Sequence, residues 1–103
     1  MTGHKGGDVI IKCEYDALYK THRKYLCKGS WSSCSSNIKA DSNTIPEPGH
    51  KFSLYDNPSE GNFMVLITQV TEEDGGNYRC VVDNAPTVTS TELQLKVKKG
   101  LYI

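Results

Sequence analysis

Four cysteines, Cys13, Cys27, Cys34 and Cys80, are the residues of this chain best placed to do chemistry, by bonding either to one another or to a metal. Four cysteines allow three pairings. Cys27 and Cys34 flank a short turn and suit a bridge across neighbouring strands, whereas Cys13 and Cys80 fall on inward positions of separate strands and suit a bridge through a core. In the chain-entropy picture the long closure stabilises the fold by about 4 kcal/mol, and the short one by roughly half to two-thirds of that. A structural zinc site is disfavoured because no C-x-x-C pair is present. Catalysis finds no constellation either. His4, His22 and His50 lie in separate polar segments, and Ser32, Ser33, Ser35 and Ser36 have no nucleophile elbow around them. The reading is therefore no catalytic residue, no cofactor and no metal. N-glycosylation is not expected, because Asn57 is followed by Pro58.

The elements that carry these cysteines are strands. Val9, Ile11 and Cys13 alternate with Ile10 and Lys12, as one buried face requires. Lys24 to Lys28 forms a second short run, and Gly29 to Ser33 has the turn chemistry to return the chain as a hairpin with Cys34 on the returning strand. Ser35 to His50 is polar and rich in turn residues, which predicts irregular edge structure. Lys51 to Tyr55 reads as a strand, Asp56 to Gly61 as a turn, and Phe63, Val65 and Ile67 as a second period-two pattern completed by Val70. Tyr78, Cys80 and Val82 alternate again, as do Leu93, Leu95 and Val97. The predicted core is Val9, Ile11, Phe63, Val65, Ile67, Val70, Tyr78, Leu93 and Leu95, with Leu26 beside the Cys13 disulfide.

Length and composition agree with a single all-β domain. A chain of 103 residues is too short for two cores, and its Thr, Val, Ser, Tyr and Gly content favours strands joined by turns. Twelve basic and twelve acidic side chains balance, which removes the bulk-charge argument for a nucleic-acid partner. Two disulfides imply an oxidising compartment. Met1 to Gly7 is polar rather than a signal sequence, and no apolar run is long enough to cross a bilayer. The segment reads as an excised extracellular domain over residues 1–99, with Met1 an expression start and residues 100–103 a linker or scar.

The run Asp74-Gly75-Gly76-Asn77-Tyr78-Arg79-Cys80 has the form D-x-G-x-Y-x-C. A Tyr two residues before a strand cysteine is the tyrosine corner of immunoglobulin sandwiches, its hydroxyl bonding to backbone upstream. Gly75 and Gly76 can supply a positive φ at such a corner. In the usual variable-domain arrangement Asp74 accepts an ion pair from the start of an earlier strand, here from Lys51.

Lys24-Tyr25-Leu26-Cys27-Lys28-Gly29, followed by Trp31 and Cys34, resembles the K-Y-W-C-(K/R)-G…W…C segment of the polymeric immunoglobulin receptor family, which includes the leukocyte CMRF-like receptors. The resemblance continues through Lys51 to Pro58, Phe63 to Val65 and Val70 to Asp74 and reaches Cys80. It implies a nine-strand-type, variable-type, two-sheet antiparallel sandwich with an extra disulfide between neighbouring strands. Leu26 stands where the family carries its core Trp, so neighbours must close in or a cavity remains. Trp31 lies in the disulfide-bridged turn, with either a covering role or a ligand contact.

The first loop and its flanks, Ala17 to Lys28, contain Lys20, His22, Arg23, Lys24 and Lys28 and no acid. A basic tip would attract lipid head groups or an acidic protein patch. The third loop, Asp83 to Ser90, adds Asp83 and Asn84 but falls short of a calcium cage. The resulting expectation is an extracellular binding domain of an immune cell-surface receptor, at the outer face of the plasma membrane with the parent anchored outside this segment, or else secreted. Its ligands would be lipid head groups or a protein, held by Lys20, His22, Arg23, Lys24, Trp31, Asp83 and Asn84. The alternatives are a transport receptor binding polymeric immunoglobulin, or an adhesion domain pairing through the sheet of Tyr25 and Tyr78.

Overall fold

The computed structural model describes residues 1–44, 49–84 and 87–99, and for Trp31, Asn84 and Thr87 the backbone alone. The tail expected at 100–103 lies outside the described residues. Alternation of buried and exposed side chains, strongest in Val9–Glu14, sorts the strands into two layers. One sheet has the order β1-β8-β7-β3-β4, formed by Thr2–His4 (β1), Thr87–Lys98 (β8), Gly76–Asn84 (β7), Arg23–Lys28 (β3) and Ile38–Asp41 (β4). The other has the order β2-β6-β5, formed by Val9–Glu14 (β2), Asn62–Ile67 (β6) and Phe52–Asn57 (β5). Pairing is antiparallel except between β1 and β8, which run parallel with Gly3 opposite Val97. A Cβ at Gly3 would come within 2.4 Å of the Val9 side chain, so a glycine lets this short strand close one side of the sandwich.

The inner faces enclose one apolar layer. Val9, Ile11, Phe63, Val65, Ile67, Val70, Tyr78 and Leu95 are buried in it, while Leu93 is half-buried against its edge. Cys13 and Cys80 are bonded across this layer with their Cα atoms 6.1 Å apart. Leu26 is fully enclosed in the same cluster and stands opposite Cys80 in the β3–β7 register.

Three expectations about the path of the chain need correction. Cys34 does bond to Cys27, but it lies at the end of a single helical turn, Trp31–Cys34 (α1), and not on a returning strand. Ser30, a good helix-starting residue, precedes that turn, and the next strand begins only at Ile38. Among the described residues there are eight strands, so the ninth of the full variable-type set is not among them. Most of the expected third loop is strand, because β7 and β8 stay paired as far as Asn84 opposite Thr87.

Truncation of Leu26 to Ala should cost about 3 kcal/mol, since the side chain is enclosed between the sheets beside a covalent link that limits collapse. Equilibrium denaturation of Leu26→Ala against the parent domain checks this.

Candidate functional site

The corner before β7 is built as the sequence pattern implies. The Tyr78 hydroxyl donates to the Asp74 carbonyl at 2.6 Å, and burial followed by the nearby Asp74 charge pushes the phenol up to about 12. Gly76 has a φ of +139°, which favours glycine, whereas Gly75 is at −66° and needs no such freedom. Lys51 Nζ lies 2.8 Å from Asp74 Oδ2, and the Thr71 N–H donates to the same oxygen at 2.7 Å. Burial alone would raise the Asp74 carboxyl, but the Lys51 and Thr71 hydrogen bonds and the Lys51 charge outweigh it and hold the group below its ordinary range. These residues fasten the end of the sandwich opposite the first loop.

At the loop end, Asp16 caps a 3-10 turn over Ala17–Tyr19 by accepting the Leu18 N–H at 3.0 Å, and His22 N–H donates to the Tyr19 carbonyl at 3.0 Å. Leu18 at the crest of this turn is 76% exposed, a large apolar side chain presented to solvent. Lys20 is exposed, and His22 is half-buried with its ring edge-on to Tyr19.

Lys24 departs most from expectation. It shares the inward face of β3 with Leu26 and is fully buried, so it is not available to a ligand. Its ammonium uses three donors, to the carbonyls of Lys20 at 3.0 Å and His22 at 2.9 Å and to Asp56 Oδ2 at 2.8 Å. It also sits 4.5 Å from the centre of the Tyr15 ring. The Tyr15 hydroxyl donates to the other Asp56 oxygen at 2.6 Å, and burial, this hydrogen bond and the Asp56 charge together raise the phenol, keeping it neutral. Asp56 lies in the family-like run Lys51 to Pro58, which gives no sign of its partner, and it reaches Lys24 from the opposite sheet.

Arg23 is spoken for as well. Its guanidinium pairs with Asp41 and lies 4.7 Å above the Tyr25 ring. Burial works to raise the Asp41 carboxyl, but the Arg23 hydrogen bond and charge, with the Asn43 N–H, hold it down. Asp83 pairs in register with Arg23 on β7. Lys28 lies at the other end of β3 and donates to the Glu73 carbonyl. The strand registers place Glu14, Asp41, Asp56 and Asp83 at the loop end with Arg23 and Lys24, and Asp16, Lys20 and Glu60 lie in the turns of the same end. The basic first loop of the sequence is therefore the face of a net acidic end. Tyr25 is on the outer face of the larger sheet, packed with Val81 and the Cys27–Cys34 bond, whereas Tyr78 points into the core. The side chains of Trp31 and Asn84 lie outside the described residues.

These features define an immunoglobulin domain of the variable type. The immunoglobulin V-set family matches residues 1–98, and the chain belongs to that family. It is related to CMRF35-like molecule 2 of Homo sapiens, with 30% identity over 83 residues covering 80% of this chain and 40% of that protein. It is also related to the polymeric immunoglobulin receptor of Mus musculus, with 29% identity over 103 residues covering 97% of this chain and 13% of that one. The chain thus spans less than half the length of these relatives. The first immunoglobulin domain of the mouse polymeric immunoglobulin receptor superposes with a TM-score of 0.83 at 24% identity, covering 100% of this chain and 92% of the other. The natural killer cell receptor Nkp44 does so with 0.78 at 27%, covering 95% of each.

The Asp74 network predicts an acid limb in stability. A carboxylate held lower in the folded than in the unfolded state contributes stability above its unfolded value, and this is lost as pH falls through the folded one. Stability should fall below about pH 4, and Asp74→Asn should flatten that fall while lowering stability at neutral pH. Denaturant midpoints for both proteins near neutrality and at about pH 3 check it; Asp41 supplies a remaining part of the slope.

Proposed function

We propose that this chain is the extracellular ligand-binding domain of an immune cell-surface receptor, a recognition module rather than an enzyme, and that it meets a protein ligand through its first loop. The relation to CMRF35-like molecules and the polymeric immunoglobulin receptor supports the receptor assignment and the plasma-membrane location of the parent. The observation that carries the choice of ligand is the charge arrangement. Arg23 and Lys24, which would have served anionic lipid head groups, are already neutralised by Asp41 and Asp56. Lys20 remains exposed at this end, with Glu14, Asp16 and Glu60 exposed around it. An anionic bilayer would meet more carboxylates than ammonium groups there, whereas a protein surface can pair with both signs and cover Leu18. Polymeric immunoglobulin is one protein that the family relation brings into consideration. Pairing of two domains through the larger sheet is less supported, since Tyr78 faces inward and Tyr25 is itself buried.

Fluorescent tetramers of the domain should stain ligand-bearing leukocytes, with staining removed by mild protease treatment of those cells and lost in a Leu18→Asp tetramer. Staining that resists protease, or that vesicles containing phosphatidylserine compete away, would sink the protein-ligand reading in favour of lipid.

A further inference from the structure

The first loop owes its shape to a group that no ligand can touch. Lys24 Nζ reaches back over the inner face of β3 and gathers the carbonyls of Lys20 and His22, while its charge is answered by Asp56 from the opposite sheet. Asp56 is itself held by the Tyr15 hydroxyl at the start of the loop, and the Tyr15 ring lies against the ammonium. The loop is thereby tied at its beginning through Tyr15 and at its end through two backbone oxygens, all to one buried cation. Backbone bonds within the loop, from Tyr19 N–H to Asp16 O and from His22 N–H to Tyr19 O, are local and short in sequence, and such single turns are marginal alone. Without the ammonium, the Lys20 and His22 carbonyls would turn to water and the turn would lose its anchor to the sandwich.

From this geometry we infer that Lys24 is a positioning residue for recognition: it prefolds the loop from Tyr15 to His22, so that Leu18 and Lys20 are presented in one fixed arrangement without Lys24 reaching the ligand. The inference rests on the reading of that loop as the binding element. Its physical content is preorganisation. A loop ordered before encounter loses less conformational freedom on binding than one ordered by the ligand, and releasing the clamp weakens binding without removing a contact atom.

The test uses Lys24→Met, which keeps the length of the side chain but not its donors, and Asp56→Asn, which keeps shape but removes the countercharge at a partly exposed position. Should Lys24→Met lose its cooperative melt, Asp56→Asn carries the comparison. Hydrogen exchange read residue by residue should show Tyr19 and His22 amides losing protection by on the order of tenfold or more, while amides of Val65, Ile67 and Cys80 in the paired strands keep theirs. Tetramer staining of the same leukocytes should fall by at least about tenfold, since the loop then has to be ordered at each binding event. Unchanged exchange at Tyr19 and His22 in both variants would overturn the clamp while leaving the loop-end reading intact. A freed loop with full staining would overturn the positioning role, and in that case the Leu18→Asp tetramer decides separately whether the loop binds at all.

Discussion

The Cys13–Cys80 bond joins β2 to β7 through the middle of the apolar layer, and the remaining features of the domain take their places on either side of it. It fixes the spacing of the two sheets where Leu26, Ile11, Val65 and Phe63 interdigitate. Away from it the sheets must be held by other means, because the apolar layer gives way to polar residues toward each end. At the corner end the tie is Asp74, shared between Lys51 from β5's approach and Thr71, with Tyr78 bonded to the backbone of the same residue. At the loop end the tie is Lys24 to Asp56. One covalent link and two ionic ones thus span the sandwich along its length.

The two ionic ties differ in what they cost and what they hold. Lys51 keeps part of its side chain in solvent, so the desolvation cost of its pair with Asp74 falls mainly on the buried carboxylate and the pair gains modestly. Lys24 is wholly removed from water, a penalty of several kcal/mol for an ammonium unless every donor is used. All three donors are used, and a ring face covers what remains. A methionine there would pack more cheaply, but would give the loop carbonyls nothing to bind. The ion pair therefore contributes less to net stability than to choosing one loop conformation over the alternatives.

Much of this was legible in the sequence. The alternation in β2, β6 and β7 comes from a buried face opposite a solvated one, and the D-x-G-x-Y-x-C run encodes a corner whose bonds are local in sequence. Lys24 carries a signal of its own burial: with Leu26 in the core, period two along β3 places Lys24 on the inner face as well. Its charge points to solvent and its strand parity to the core, and parity prevails because Asp56 answers the charge. What parity could not reveal is the compensating partner, since Asp56 lies on another sheet and Asp41 on a strand reached through a polar segment with no periodicity. For the same reason the net sign of the loop end is hidden in the sequence, because it sums residues from five separated stretches. The spacing of Cys27 and Cys34 encodes their bond but not the element between them, as a short disulfide loop accommodates either a hairpin or a helical turn.

Holding the first loop by residues it does not expose separates its shape from its surface. Ala17, Leu18 and Lys20 make their structural contributions through backbone atoms, so their side chains can change without disturbing the turn. The residues that set the shape, Tyr15, Lys24 and Asp56, are withdrawn from the surface or engaged with one another. The sandwich as a whole is kept at low identity, with a superposition of 0.83 against a receptor domain at 24% identity. Similarity of fold at that level carries the scaffold across relatives, and the exposed positions of the first loop are those whose side chains the scaffold does not use.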